Sequence, residues 1–174
     1  YLTTVDDPAA TGTYGHRYVF ADLVYREMSM STRVDWAFTP KLTLQTYVQP
    51  LIAVGDYSGL KEFSDPGGFA FRRYDSGGGS ISRDPVSGDY SVDPGGGGET
   101  FTVGNPDFNF KSLRLNMVLR WEYRPGSTIF LAWTRNGTDT GHPGELAFGR
   151  DLDALLSART DDVVLVKVTR WLDF

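Results

Sequence analysis

Leu113-Arg114-Leu115-Asn116-Met117-Val118-Leu119-Arg120-Trp121-Glu122-Tyr123 is the stretch that decides the fold. Its odd positions are all apolar or aromatic. Arg114, Asn116, Arg120 and Glu122, with Ser112 just before them, hold most of the even ones. A period of two over this length gives a β-strand one apolar and one polar side, whereas helical spacing would scatter both sets around a cylinder. Strands of soluble domains typically run about five or six residues, and a tilted strand crossing a bilayer needs about nine to eleven. The apolar edge closes on Trp121 and Tyr123, where an interfacial aromatic girdle would lie. The stretch predicts a strand of a transmembrane β-barrel.

The flanking sequence repeats the device. Upstream, Met28, Met30, Thr32, Val34, Trp36 and Phe38 alternate with Ser29, Ser31, Arg33, Asp35 and Ala37. Thr39 and Pro40 then predict a tight turn, because proline presets its φ and has no N–H for a ladder. Leu42, Leu44, Thr46 and Val48 follow, against Lys41, Thr43, Gln45, Tyr47 and Gln49. Downstream, Arg124 to Ser127 form another tight turn before Ile129, Leu131 and Trp133. In the last run Val164, Val166, Val168, Leu172 and Phe174 share a face, and Arg170 is its exception, placed near the inner interface where its stem can snorkel.

The expected organisation is all-β: one antiparallel transmembrane barrel portion over 1–174, with strands at about 17–38, 41–54, 108–124, 127–135 and 162–174. Residues 1–15 read as loop. Long outer loops are expected at 55–107 and 136–161, the second holding a short helix around Leu152, Leu155 and Leu156. Short turns on one side and long loops on the other is the asymmetry of bacterial outer-membrane barrels. The smallest such barrels have about eight strands, so five must close against the remainder of a longer chain or against other barrel subunits. The start at Tyr1, without a charged and apolar leader, fits either a removed signal peptide or a longer polypeptide.

Composition narrows the function. A net charge of −5 over 174 residues argues against a nucleic-acid partner, which needs a basic stripe. The absence of cysteine removes disulfides, thiolate metal sites and thiol nucleophiles. No run of about twenty apolar residues suggests a transmembrane helix, and a mean hydropathy of −0.28 says little where half of each strand faces a polar lumen.

On the polar faces the candidate lumen-lining residues are Arg33, Asp35, Gln45, Gln49, Arg114, Asn116, Arg120, Glu122 and Lys167. They could select solutes by charge, but mixed signs at cross-strand spacing favour mutual pairing over a single-sign filter. The girdle and lipid-facing candidates are Trp36, Phe38, Trp121, Tyr123, Trp133, Leu172 and Phe174. In the long loop Tyr57, Phe69, Tyr74 and Tyr90 could stack on a ligand such as a sugar, or pin the loop to the barrel rim. His16 and His142, with loop acids, leave an outer-membrane hydrolase as an alternative; no nucleophile motif accompanies them, and no catalytic residue is assigned. The acids and glycines of Asp84 to Gly98 do not follow calcium-loop spacing and read as flexible linker, so neither metal nor cofactor is expected. A soluble β-rich binding or assembly module, its apolar faces forming a core, is the other alternative.

Asn105-Pro106-Asp107-Phe108-Asn109-Phe110, the run from Val118 to Ser127, Tyr47-Val48-Gln49-Pro50 with Gly55-Asp56-Tyr57-Ser58, and Val166-Lys167-Val168 before a terminal aromatic together resemble a family. It is the C-terminal barrel domain, of no established activity, of large outer-membrane proteins of Gram-negative bacteria that carry an N-terminal family-nine-type carbohydrate-binding module. The resemblance implies a place in the bacterial outer membrane, lipid as surroundings, insertion machinery reading Phe174, and a link to glycans. It implies no reaction. Neither the module nor the earlier strands of such proteins are present in this sequence, so sugar binding carries over to no residue.

Overall fold

A computed structural model describes residues 1–172. Its described elements are β1 (Thr3–Asp6), β2 (His16–Ser29), β3 (Thr32–Thr39), β4 (Leu42–Asp65), β5 (Ala70–Arg73), β6 (Ser80–Arg83), β7 (Tyr90–Asp93), β8 (Phe101–Val103), β9 (Phe108–Arg124), β10 (Ser127–Asp139), α1 (Phe148–Ser157) and β11 (Thr160–Thr169), with a 3-10 turn at Thr11–Thr13. The chain is mostly antiparallel β. No described helix is long and apolar enough to cross a membrane, a statement that leaves strands aside. Two compact units emerge: Tyr1–Tyr25 with Gly55–Asp107, and Arg26–Val54 with Phe108–Phe174.

The second unit holds the long strands, in the order β3-β4-β9-β10-β11. All the registered pairs are antiparallel. On β10, Ile129, Leu131 and Trp133 stand opposite Trp121, Leu119 and Met117 of β9 and opposite Val168, Val166 and Val164 of β11. On the other flank Trp36 stands opposite Leu44 and Val34 opposite Thr46. The Glu122 amide donates to the Lys41 carbonyl at 2.8 Å, which by the period of two sets Leu119 beside Leu44. The alternation of each strand is thus in phase with its neighbours, and one continuous apolar face backs one polar face. A register slip of one residue would exchange the two. Among the described residues β3 and β11 pair on one side only, and nearly all their residues are exposed on both faces.

The first unit corrects several expectations. Residues 1–15 contain β1, which pairs with β2 from Thr3 opposite Val19 to Asp6 opposite His16. β4 runs eleven residues past the expected end at 54, to Asp65, passing through Gly59 at φ +59°. That left-handed conformation is what favours glycine here. The segment read as flexible linker is folded: β6, β7 and β8 make a three-stranded sheet. Its two glycine clusters meet at the Ser80–Asp93 end of the β6–β7 pair. A Cβ on Gly79 would lie 2.8 Å from the carbonyls of Asp93 and Tyr74, and one on Gly95 would lie 2.7 Å from that of Gly78. Close backbone approach, rather than flexibility, accounts for these glycines. The core of this unit is Val19, Leu60, Tyr74, Tyr90, Val92 and Val103.

Smaller differences remain. The expected strand 17–38 is two, interrupted at Met30-Ser31; β10 extends to Asp139; β11 ends at Thr169, before Arg170. The short helix forms over Phe148–Ser157. Phe174 lies outside the described residues.

Candidate functional site

The polar face of the long-stranded sheet gathers most of the lumen-lining candidates. Arg33, Gln45 and Asn116, with Tyr47 and Val118, line a cavity of about 300 Å³. Gln49 and Arg114, with Glu27, Ser29 and Ser112, line another of about 230 Å³. That Arg33 shares the first hollow with Gln45 and Tyr47 follows from the register, which sets Arg33 opposite Tyr47 and Asp35 opposite Gln45.

The ion pairs on this face run along strands instead of across them. Arg33 Nε lies 3.3 Å from Asp35 Oδ2, and Arg120 Nη2 lies 3.5 Å from Glu122 Oε2. Across the β9–β10 register the neighbours are uncharged: Phe130 opposes Arg120 and Thr128 opposes Glu122. Lys167 also faces Phe130, so this ring parts two cations. Asn116 Oδ1 accepts from the Thr134 hydroxyl at 3.0 Å. The face is therefore wet and mixed in sign, with exposed guanidinium groups and amides at hand for a polar solute.

The apolar face carries the girdle candidates at its turn end. Trp36 and Phe38 stack with centroids 5.6 Å apart, and Trp121 meets Tyr123 edge-on at 6.2 Å. Trp36 remains 60% exposed and Trp121 48%, an unusual state for tryptophan on a surface in water. Leu172 is exposed beyond the end of β11. Trp171, which the alternation passes over, belongs to the same end: its amide donates to the Ser127 hydroxyl at 3.0 Å, and its Cβ lies 3.1 Å from where Gly126 would carry one. Trp133 sits at the opposite end. Its Nε1–H donates to Asp162 at 2.7 Å, and the Arg135 guanidinium bridges the same carboxylate at 2.8 Å while lying 5.0 Å from the Trp133 ring centroid.

The loop candidates divide. Tyr74 is fully buried and its hydroxyl donates to Glu62 at 3.1 Å; Tyr90 is nearly buried and donates to the Tyr57 carbonyl at 3.0 Å. Neither ring is open to a ligand, because the turn after β5, tied to Leu60 through the Tyr74 amide, and the short strand β7 carry them into the core of the first unit. Tyr57 is half-buried, held through its amide by Asp107 at 2.7 Å. Phe69 is exposed, with φ +52°, and its ring touches Phe63 edge-on.

Sequence reading missed a buried ionic cluster in that unit. Arg17 donates to Asp7 at 2.6 Å and to both Glu62 oxygens at 2.8 and 2.7 Å, and Arg72 also donates to Glu62. Burial alone disfavours the Arg17 charge, yet the hydrogen bonds to Glu62 and Asp7 hold its pKa above the ordinary value. The Arg17 guanidinium and the Ala9 amide hold the Asp7 carboxyl below its own. Burial, then the Glu62 carboxylate, push the Tyr74 phenol up. Arg17 and Glu62 are 45 residues apart, and no local pattern joins them.

His16 Nδ1 pairs with Asp6 at 2.8 Å on an exposed surface, and His142 is exposed with φ +62°. The acids expected in the linker serve turns: Asp84 accepts the Val86 and Ser87 amides at 2.7 and 2.8 Å, and Asp93 accepts that of Gly95 at 2.8 Å. Among the described residues no three acidic or histidine side chains converge as a metal ion requires.

A family model described as Domain of unknown function (DUF5916) matches residues 84–174. No curated protein and no solved structure matches the chain.

Proposed function

On the premise that the chain belongs to the DUF5916 family, whose description assigns no activity, we propose that it is a membrane-spanning β-barrel domain of the bacterial outer membrane. In this reading it serves as the anchor or conduit of a larger surface protein. The observation that supports the reading is the in-phase alternation of the five long strands. Leu119, Leu131 and Val166 lie in one row, Leu44 continues it through the Lys41–Glu122 pairing, and Arg33, Gln45 and Asn116 lie opposite around one polar hollow. A soluble module would need a second apolar layer over that face, whereas on the inner strands Trp121 is 48% exposed and Leu115, Met117, Leu119, Ile129 and Leu131 are only partly buried. Lipid supplies the layer in this reading.

The one-sided pairing of β3 and β11 leaves two edges that would template further strands. They take strands of the same polypeptide or of other barrel subunits and close the barrel. The polar face then lines the lumen. Glycans enter as a solute or loop ligand only through the resemblance, and no residue is assigned to them. No catalytic step is assigned either.

The test exploits the absence of cysteine from these 174 residues, with any cysteine elsewhere in the polypeptide replaced by serine. Single cysteines at Arg114, Asn116 and Arg120, and at Leu115, Met117 and Leu119, are placed in the full-length protein and reconstituted in vesicles. The first set should react with a water-soluble maleimide and the second only with a lipid-phase reagent. Equal reaction of both sets with the water-soluble reagent would defeat the proposal.

A further inference from the structure

α1 does not lie over the polar face. The groups on which it and its flanks rest are Asn109 and Lys111 of β9 and Gly137 of β10. All three have the parity of Leu113 to Tyr123 and of Ile129 to Trp133, the apolar rows. Asn109 Nδ2 donates to the Glu145 carbonyl at 2.8 Å, Lys111 Nζ lies 3.9 Å from Asp151, and a Cβ on Gly137 would lie 3.9 Å from that of Ala158. Asp151 and Leu155 are the buried side chains of the helix.

Its apolar stripe is wider than the sheet covers. Phe148, Leu152 and Leu156 are four apart and form one row beside Leu155, while Arg150, Asp153 and Ser157 take the other side. Phe148 is 56% exposed and Leu156 64%. The site also lies at a boundary. Trp133, Arg135 and Asp162 combine an aromatic body with a charged tip, the chemistry of a membrane interface, and Gly137 is two residues, about 7 Å, further along β10.

We propose that α1 is an interfacial helix of the loop end, its Phe148–Leu152–Leu156 row resting on the acyl–headgroup boundary of the outer leaflet; this rests on the membrane-spanning reading of the sheet. The seat on the lipid-facing side commits the row to lipid, since that row continues the face that the spanning strands present to it. Apolar insertion is the binding chemistry. Arg150 is paired with Glu145 and Asp151, each at 3.0 Å, so it is apolar insertion, and not this cation, that carries the binding.

Leu156→Cys, Asp153→Cys and Leu119→Cys, each labelled with an environment-sensitive fluorophore, are compared in the full-length protein reconstituted in phosphatidylcholine vesicles. The label at 156 should lose fluorescence to a lipid nitroxide near the headgroup and be shielded from iodide, with the label at 153 open to iodide. Labels at 156 and 153 equally open to iodide, while that at 119 is quenched by a nitroxide deep in the acyl chain, would overturn the helix proposal and leave the spanning sheet standing. A label at 119 open to iodide would overturn both.

Discussion

Leu131→Arg measures what the apolar face is made for. Leu131 stands between Leu119 and Val166 on an inner strand of the sheet, four residues from Ser127 at the turn and four from the Arg135–Asp162 pair. At about 3.4 Å per residue it is roughly 14 Å along the strand from either boundary, the centre of the apolar band. An arginine at the midplane of a lipid-facing barrel surface costs about 2–4 kcal/mol, against about 0–1 near an interface. The folding equilibrium constant should therefore fall roughly thirty- to several-hundred-fold at about 1.4 kcal/mol per tenfold. Thr134→Arg, on the opposite face, loses one hydrogen bond to Asn116 and should cost no more than about 1.5 kcal/mol. Urea-titrated folding of the full-length protein into phospholipid vesicles, followed by tryptophan fluorescence, separates the two. Equal costs, or a larger cost at Thr134, would refute the assignment of the faces.

Three further outcomes concern the parts around that sheet. Tyr74→Phe removes a donor to the buried Glu62 carboxylate and should destabilise the first unit by about 1.5–3 kcal/mol, as losing a hydrogen bond to a charged group does. Phe69→Ala at an exposed ring should stay within about 0.5 kcal/mol, and hydrogen exchange of β6 to β8 reports both. The depressed Asp7 pKa stabilises that unit fully above the ordinary carboxylate range, near about pH 4. The contribution is lost as pH falls through the lower folded value, so exchange there should accelerate in acid and be insensitive to Asp7 between neutrality and pH 5. Lys111→Met strips the buried Asp151 of its neighbouring cation at 3.9 Å and Asp139 of its partner at 2.6 Å. Breaking such a pair costs about 3–5 kcal/mol when both groups are buried; with Asp139 a third exposed, about 3 kcal/mol is expected, read as faster proteolysis between Asp139 and Thr160.

What the sequence disclosed follows from how far apart the determining contacts lie. The alternation of Leu113 to Tyr123 is visible because each side chain reports its own face, and β9 keeps that phase against both neighbours. β4 past Val54 is not visible: Gly55 and Gly59 look like breakers, while the strand runs through Gly59 at a positive φ that glycine adopts readily. Gly77 to Gly79 and Gly95 to Gly98 have the composition of a linker, yet Gly79 and Gly95 stand at close backbone contacts, and only the fold separates those. Tyr74 and Tyr90 read as candidate ligand platforms because a turn and a four-residue strand are too short for a phase to show. The helical spacing of Leu152, Leu155 and Leu156 is legible, but its seat on the apolar side is fixed by Asn109, Lys111 and Gly137, remote in sequence. Charges on the polar strands were readable as a set; their pairing along strands, with Phe130 and Thr128 opposite on β10, was not.

Membrane-spanning closure is tested most directly by extracting membranes with detergent and running the full-length protein on a semi-native gel with and without boiling. A closed barrel appears only in the detergent fraction and shifts in mobility on boiling. Recovery in the aqueous fraction without detergent, with no shift, would contradict a lipid-facing role for the Leu119–Leu131–Val166 row.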